Sequence, residues 1–114
     1  MGIDEPNISP EQFLEDVEMR IGEIRSVEPF PEARKDVYKF TLDLGEEALQ
    51  SAAGLTDLYD PENLVGQQVV VVVNLGTVSI AGFESECLVT GANRKEGVVH
   101  LQPEREVENG TRVY

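Results

Sequence analysis

The 114-residue chain is predicted to fold as an all-β barrel of short strands with one short helix in front of it. Three observations predict this fold class. Apolar residues alternate with polar ones over short segments, and turn-forming residues separate these segments. No segment shows the rhythm of strand and long helix that a parallel sheet requires. The length suits one domain with one hydrophobic core.

The N-terminal segment is expected to hold a loose leader and then the helix. Residues 1–9 contain no periodic pattern. Ser9 is a good N-cap, Pro10 suits the first helical position, and Gln12 completes a capping box. The helix is predicted over 10–16, and residues 10–114 form the domain.

The first strand is predicted over 17–27 from its alternating apolar residues. Gly22 interrupts the alternation, and a glycine inside a strand usually marks a bulge or a bend. The segment 29–31, Pro-Phe-Pro, cannot continue a ladder, so an extended loop is expected there.

The remaining elements are predicted from alternation and turn signals. Asp60 before Pro61 starts one or two helical turns that Gly66 ends. The dipeptide at 109–110, Asn-Gly, predicts a tight turn in the tail 103–114. The other strands are predicted over 37–44, 48–53, 68–74, 86–92 and 98–102, with a turn over 93–97.

Five consecutive valines occupy the fourth predicted strand, at 69–73. A continuous apolar run predicts cover on both faces of the strand. One face belongs to the barrel interior. The outer cover is either the N-terminal helix or a second subunit.

The sequence contains no pattern that predicts catalysis, a cofactor or a metal site. Cys87 is the single cysteine, which excludes an internal disulfide, and it is expected to be a buried thiol. His100 lies alone in an apolar strand and is interpreted as structural. No apolar run approaches the roughly 20 residues of a membrane span, and the acidic N-terminus does not resemble a signal peptide. We expect a non-enzymatic, cytoplasmic protein.

A family resemblance rests on the order of helix, bent strand and proline loop at the start of the chain, and on five separated sequence segments. They are 29–35 (PFPEARK), 49–59 (LQSAAGLTDLY), 69–75 (VVVVVNL), 80–92 (IAGFESECLVTGA) and 101–114 (LQPEREVENGTRVY). In this order they resemble the tRNA-binding OB domain, in the stand-alone form of the CsaA-type export-chaperone family. The resemblance implies a five-stranded OB barrel with a C-terminal extension, a homodimer, and tRNA or structured RNA as partner.

The resemblance also implies RNA-contacting positions on one face of the barrel. Gln50 and Ser51 match the polar pair on the third strand, and Asn74 matches the residue that ends the fourth. Ser85 and Glu86 match the family's Ser-Glu pair, whose carboxylate can accept from an exocyclic amine. Four positions that are usually basic in the family are neutral or acidic here: Leu49, Val78, Ser79 and Glu84.

The charge balance is unusual for a nucleic-acid binder. The chain has 22 acidic and 9 basic residues, a net charge of −13. Such proteins ordinarily show a basic stripe, because neutralised phosphates supply much of their affinity. Either the protein works in a halophilic cytoplasm, or the fold has lost RNA binding and meets a basic or apolar partner.

Basic residues cluster beside the proline loop. Arg34 and Lys39, with Lys35 between them, are predicted to contact phosphate. An alternative is that they form exposed ion pairs with Glu32 and Asp36, which contribute about 0–1 kcal/mol each.

Phe30, Ile80 and Phe83 are predicted to form an apolar patch in loop contexts. In the CsaA-like family such a patch near the dimer interface is linked to unfolded preprotein segments. The alternative is that these residues plug the barrel mouth or seal the dimer. The sequence therefore leaves an RNA-binding module, a chaperone-like peptide-binding module and a purely structural domain open, in that order.

Overall fold

The computed structural model describes residues 2–114 of the chain; Met1, part of the predicted leader, lies outside the described residues. Residues 2–9 contain neither helix nor strand. The elements are α1 (Pro10–Asp16), β1 (Met19–Pro29), β2 (Tyr38–Asp43), β3 (Ala48–Ala53), α2 (Pro61–Leu64), β4 (Gln68–Val72), β5 (Val78–Ile80), β6 (Phe83–Ser85), β7 (Leu88–Val89), β8 (Gly91–Arg94), β9 (Gly97–His100) and β10 (Arg112–Val113).

Five antiparallel strands form the barrel in the order β3-β2-β1-β4-β7. β1 is the longest strand, with 11 residues, and it changes partners along its length. Its first half, from Met19 to Glu23, pairs with β4, and its second half, from Glu23 to Pro29, pairs with β2. β10 pairs with the start of β1, beyond the end of β2. The predicted five-stranded barrel with a short N-terminal helix is confirmed.

The irregularity of β1 lies at Arg25 and not at Gly22, where we predicted it. The register against β2 shifts between Ile24 and Ser26, which leaves Arg25 as the extra residue. Gly22 pairs regularly with Val69 instead. A Cβ on Gly22 would lie 3.0 Å from Leu44 Cδ2, so the glycine permits close packing.

The core is aliphatic around one fully buried aromatic ring, Phe40. Val69 and Val71 of β4 point into it, which places the alternate residues Val70 and Val72 on the outer face. The other main members are Ile24, Leu42, Leu44, Leu55, Leu64, Cys87 and Val89. Cys87 is buried, as the sequence predicted, and burial raises the pKa of its thiol to about 11, so the cysteine stays protonated.

The helix α1 begins as predicted and is held at its end by the C-terminal tail. The Ser9 hydroxyl accepts a hydrogen bond from the Gln12 amide at 3.0 Å. At the other end, the Arg112 guanidinium donates to the carbonyl oxygens of Leu14 and Val17, at 2.6 and 3.2 Å. A basic side chain thus satisfies carbonyls that a helix C-terminus leaves without partners.

Several predicted boundaries shift. The fourth strand ends at Val72 instead of residue 74. The fifth predicted strand is divided into β7 and β8, and β8 forms a hairpin with β9 around residues 95–96. A hairpin of β5 and β6 was not predicted at all. Asp60 occupies the N-cap position of α2, but its side chain makes no capping hydrogen bond.

The tail folds back over the outer face of the barrel. Gln68 Nε2 donates to the carbonyl oxygen of Val107 and to Asn109 Oδ1, at 2.6 and 2.8 Å. The predicted turn at Asn109 and Gly110 is present, with Gly110 at φ +91°. A Cβ on Gly110 would lie 2.3 Å from the Leu44 carbonyl oxygen, so only glycine fits.

Candidate nucleic-acid interface

The barrel closes between β3 and the segment after β6 through side chains as well as backbone. The Glu86 amide donates to the Gln50 carbonyl oxygen at 2.8 Å. In the opposite direction, the Gln50 amide donates to the Glu86 carboxylate at 3.0 Å. The Ala52 amide donates to the Ser85 hydroxyl at 3.1 Å. Two side chains therefore accept the hydrogen bonds of backbone N–H groups that backbone carbonyl oxygens would accept in an ordinary ladder. We call residues 50–52 and 84–87 the closing seam.

Two further contacts tie the seam together. The Ser51 hydroxyl donates to the Cys87 carbonyl oxygen at 2.7 Å. Gln50 Nε2 donates to the Glu84 carbonyl oxygen at 2.9 Å. Ser51 is fully buried and Ser85 is 9% exposed. Their hydroxyls lie inside the protein, where hydrogen bonds also strengthen one another.

The seam changes what the residues predicted to contact RNA can do. Ser51 and Ser85 could reach a ligand only if the seam opened, because they are buried and bonded within the chain. Gln50 and Glu86 are partly exposed and share their polar groups between the seam and the surface. The RNA contacts assigned to these four positions remain predictions.

Asn74, two residues after the end of β4, holds the N-terminal segment. Its Oδ1 accepts from the Glu18 amide at 2.9 Å, and its Nδ2 donates to the Asp16 carbonyl oxygen at 2.9 Å. Both functions of the amide are satisfied within the chain. Asn74 is still exposed, so a contact with RNA remains a prediction.

Phe30 and Phe83 pack edge to face under the Lys39 ammonium. Their ring centroids are 5.5 Å apart, and Lys39 Nζ lies 5.0 Å from the Phe30 centroid and 5.8 Å from the Phe83 centroid. Lys39 Nζ is also 3.8 Å from a Glu28 carboxylate oxygen. Phe30 is only 6% exposed, so it lies beneath the surface and not on it. Phe83 is partly buried, and the aromatic pair fixes the proline loop against the β5–β6 hairpin.

A cleft of about 560 Å³ lies between the proline loop and the tip of this hairpin. Ile80 belongs to its lining, whereas Phe30 and Phe83 do not. Arg34 and Lys35 stand at its rim together with Glu32. The remaining lining residues are Ala33, Val37, Ser79 and Ala81. The structure thus brings Arg34 and Ile80 to one site and places Lys39 behind the wall of that site.

Most of the basic side chains have partners elsewhere. Arg20, Arg25, Lys39, Arg94 and Arg105 form ion pairs with acidic neighbours. Arg112 is bound to helix carbonyls on the far side of β1. Among residues 2–114, four cations form no ion pair: Arg112, and three others of which two, Arg34 and Lys35, border the cleft.

The hairpin tip contains a strained residue. Ala81 has φ +46°, the one non-glycine residue with positive φ in the described part of the chain, and Gly82 follows at φ +83°. Two successive positive φ values define the type I′ turn that suits a two-residue hairpin. The Ala-Gly dipeptide between Ile80 and Phe83 is the sequence signal for this hairpin, and our sequence reasoning missed it.

The match to known proteins agrees with this geometry. Residues 19–112 match the family described as "Putative tRNA binding domain". The chain belongs to this family. Two solved structures similar to the chain are CsaA chaperones. The Bacillus anthracis protein shares 41% identity at a TM-score of 0.87, covering 96% of this chain and 100% of that one. The Picrophilus torridus protein shares 31% identity at a TM-score of 0.86, covering 94% and 100%.

The same family domain also occurs inside larger proteins. Methionine–tRNA ligase of Methanocaldococcus jannaschii is 34% identical over 102 residues, which is 89% of this chain and 16% of the ligase. The chain therefore spans about a sixth of that relative's length. This tRNA-binding domain contains, within residues 2–114, no group of three acidic, His or Cys side chains placed to hold a metal ion. None of its helices in that range is long and apolar enough to cross a membrane.

Proposed function

We propose that the protein is a homodimeric RNA-binding module of the CsaA type that binds tRNA or another structured RNA. One observation carries this proposal beyond family membership. Two of the four cations that form no ion pair among residues 2–114 meet at the cleft that separates the proline loop from the hairpin. Loops in these positions flank the binding face of OB barrels. A cationic cleft between these loops suits RNA as the partner, and we propose that the two meet in the cytoplasm.

The acidic surface favours an RNA site that works through short-range contacts. At about 1 M salt the Debye length is roughly 3 Å, so distant carboxylates repel phosphate little. Stacking and hydrogen bonds to unpaired bases survive such salt better than counterion release does. Under the halophilic alternative, a net charge of −13 maintains solubility without abolishing RNA binding.

An apolar row on the outer face of the barrel supports the homodimer. Strand register aligns Leu88, Val72, Met19 and Val113 across four strands. Directly paired residues have side chains on the same face, and Val72 points outward because Val71 belongs to the core. Leu88 is 49% exposed, so part of the row is uncovered in a single chain. Leu88→Glu should convert the dimer to a monomer in sedimentation equilibrium, whereas Val65→Glu should not.

Fluorescence anisotropy with labelled tRNA tests RNA binding. The full chain is titrated in 0.2 M and 2 M KCl. Two phosphate contacts predict a slope of log K against log salt of about −1.4. The charge reversal Arg34→Glu should weaken binding about tenfold. The matched control is Arg105→Glu, because Arg105 is exposed and paired with Glu104 away from the cleft.

Two results would count against RNA binding by this module. One is an affinity no stronger than the roughly 10⁻⁴ M of nonspecific contact at both salt concentrations. The other is an equal loss of RNA affinity in Arg34→Glu and Arg105→Glu, which would show that the effect depends on net charge alone.

A chaperone-like module that binds unfolded peptides is the second candidate. It is favoured by the aliphatic lining of the cleft, where Ile80 and Val37 lie, and by the similarity to solved CsaA chaperones. Suppression of the aggregation of an unfolded client measures this activity. Loss of suppression in Ile80→Asp, with the dimer intact, would support it, and absence of suppression in the unmodified protein would remove it.

A further inference from the structure

We propose that the cleft receives a single unpaired nucleotide of an RNA loop, with its base on the aliphatic lining and its phosphate at Arg34 and Lys35. This inference rests on the proposed RNA binding and adds the kind of RNA feature and the position where it binds. It concerns the cleft alone and does not involve the closing seam.

The size and lining of the cleft suit one base. Its volume of about 560 Å³ lies within the range of ligand pockets, roughly 300–1,000 Å³. Val37, directly before β2, and Ile80, in the β5–β6 hairpin, come from the two segments that line the cleft and offer apolar surface to a planar ring. The Ser79 hydroxyl, also in the lining, can hydrogen-bond to a base edge or to the ribose 2′-hydroxyl.

The charges at the rim suit one phosphate. Arg34 and Lys35 are exposed and adjacent in sequence, and Glu32 is the acidic side chain in the lining. The rim is therefore net positive by one charge on a chain of net charge −13. Binding along a duplex would need a longer row of cations than this rim provides. The rim is thus expected to bind one phosphate of an anionic ligand and not a run of several phosphates.

The walls are held in place before any ligand arrives. The Lys39 ammonium lies over the rings of Phe30, from the proline loop, and Phe83, from the β5–β6 hairpin, so this contact outside the lining ties together the two segments that border the cleft. The strained turn at Ala81 fixes the hairpin tip that borders the cleft. A cleft whose walls are already ordered costs less conformational entropy when a nucleotide enters. Such a site selects a base that is already unstacked, as in a loop.

The test uses a fluorescein-labelled RNA hairpin with a seven-nucleotide loop and the full chain. Each loop nucleotide is replaced in turn by an abasic one. One abasic position should weaken binding about tenfold, since a base held by stacking or apolar contact contributes that much, and the others should change it little. A fully paired duplex of the same stem should bind no better than the weakest abasic hairpin.

Protein variants locate the base. Ile80→Asp should cause the same tenfold loss, and in combination with the sensitive abasic position the two losses should not add. Val65→Asp introduces the same carboxylate at an exposed apolar residue outside the cleft and should have a small effect. Glu32→Gln does not threaten folding and should tighten binding about threefold, because it removes the acidic charge from the rim.

The outcomes separate this inference from the proposed function. Uniform abasic effects, or equal losses in Ile80→Asp and Val65→Asp, would overturn the nucleotide site while RNA binding stands. Displacement of the hairpin by a labelled acidic-apolar peptide that binds more tightly would overturn it in favour of a peptide site. Absence of any binding to tRNA or hairpin would overturn the proposed function as well.

Discussion

The Glu86 carboxylate accepts the backbone N–H of Gln50 at 3.0 Å, while the Glu86 amide donates to the Gln50 carbonyl oxygen at 2.8 Å. One residue therefore supplies both halves of a ladder pair, the acceptor from its side chain and the donor from its backbone. This exchange closes the barrel at the point where β6 has ended and β7 has not begun. The Ser-Glu pair of this chain thus has a structural function that does not depend on a ligand.

The first prediction concerns the protection of individual amides at the seam. In Glu86→Ala, hydrogen exchange of the Gln50 amide should accelerate about tenfold, and the free energy of unfolding should fall by about 1 kcal/mol. In Ser85→Ala, the Ala52 amide should lose protection instead. Exchange measured by NMR distinguishes the two sites.

Conservative variants provide the controls for this prediction. Glu86→Gln retains an acceptor oxygen, so it should keep most of the protection of Gln50. Glu84→Ala should leave both amides unchanged, because Glu84 contributes its backbone carbonyl to the seam. Unchanged exchange of Gln50 in Glu86→Ala would show that the carboxylate does not close the barrel.

The second prediction concerns Lys39, whose ammonium contacts two rings and one carboxylate. Lys39→Met retains an apolar stem of similar length but removes the cation, so the free energy of unfolding should fall by about 0.5–1 kcal/mol. Lys39→Arg should retain most of the stability, since guanidinium also binds aromatic faces. Lys95→Met is the matched control, because Lys95 is exposed and forms no ion pair among residues 2–114. Urea unfolding measures this difference. An equal decrease in the free energy of unfolding in both Met variants would show that the Lys39 cation does not stabilise the aromatic pair.

The third prediction concerns the backbone strain at Ala81. An L-residue with φ +46° sits in the left-handed region at a cost of about 1 kcal/mol. Ala81→Gly removes the Cβ, but its unfolded chain is also more flexible, so a net stabilisation of up to about 0.5 kcal/mol is expected. Ala92→Gly, in β8, should instead destabilise the protein by about 0.5–1 kcal/mol. Thermal unfolding measures both changes. An equal decrease in stability in the two variants would contradict strain at Ala81.

The fourth prediction concerns the pH dependence of stability through His100. Burial lowers the pKa of His100 from its usual 6.5, and the ring lies 5.1 Å from the Tyr59 ring with Nε2 2.8 Å from Gln67 Oε1. Above pH 6.5 the imidazole is neutral in both states, so its contribution to stability is complete. As the pH falls below 6.5 the unfolded chain binds the proton first, and this contribution is lost as the pH falls through the folded pKa.

Denaturant unfolding between pH 8 and pH 5 measures this loss. The unmodified protein should lose more stability across that range than His100→Gln, which has no titrating ring at this position. Equal slopes for the two proteins would show that His100 does not titrate differently on folding. The carboxylates contribute equally to both proteins, so the comparison isolates the imidazole.

The sequence predicted the parts of the fold that local patterns determine. Ser9 and Pro10 defined the start of α1, and the alternation at 48–53 gave the bounds of β3. The bulge position was wrong because both Gly22 and Arg25 interrupt the strand pattern, and only pairing with β2 decides between them. A glycine in a strand signals close packing as well as a bulge, and here it serves the first purpose.

The candidate site was less predictable because it depends on contacts between distant segments. The burial of Ser51 and the ring pair of Phe30 and Phe83 arise only when β3 meets β6 and the proline loop meets the hairpin. Polar residues in a strand could not be divided by sequence into those facing solvent and those closing the barrel. The free cations at Arg34 and Lys35 were predicted beside the loop, and their lack of ion pairs appears only in three dimensions.

Arg112 joins the last strand to the end of α1, so both of these elements lie beside Met19, where β1 begins. The cleft lies beyond Pro29, at the other end of that 11-residue strand. The separation along the strand is up to about 33 Å. A label, a surface linker or a carrier protein attached through the C-terminus would therefore lie at the end of β1 that is away from the cleft.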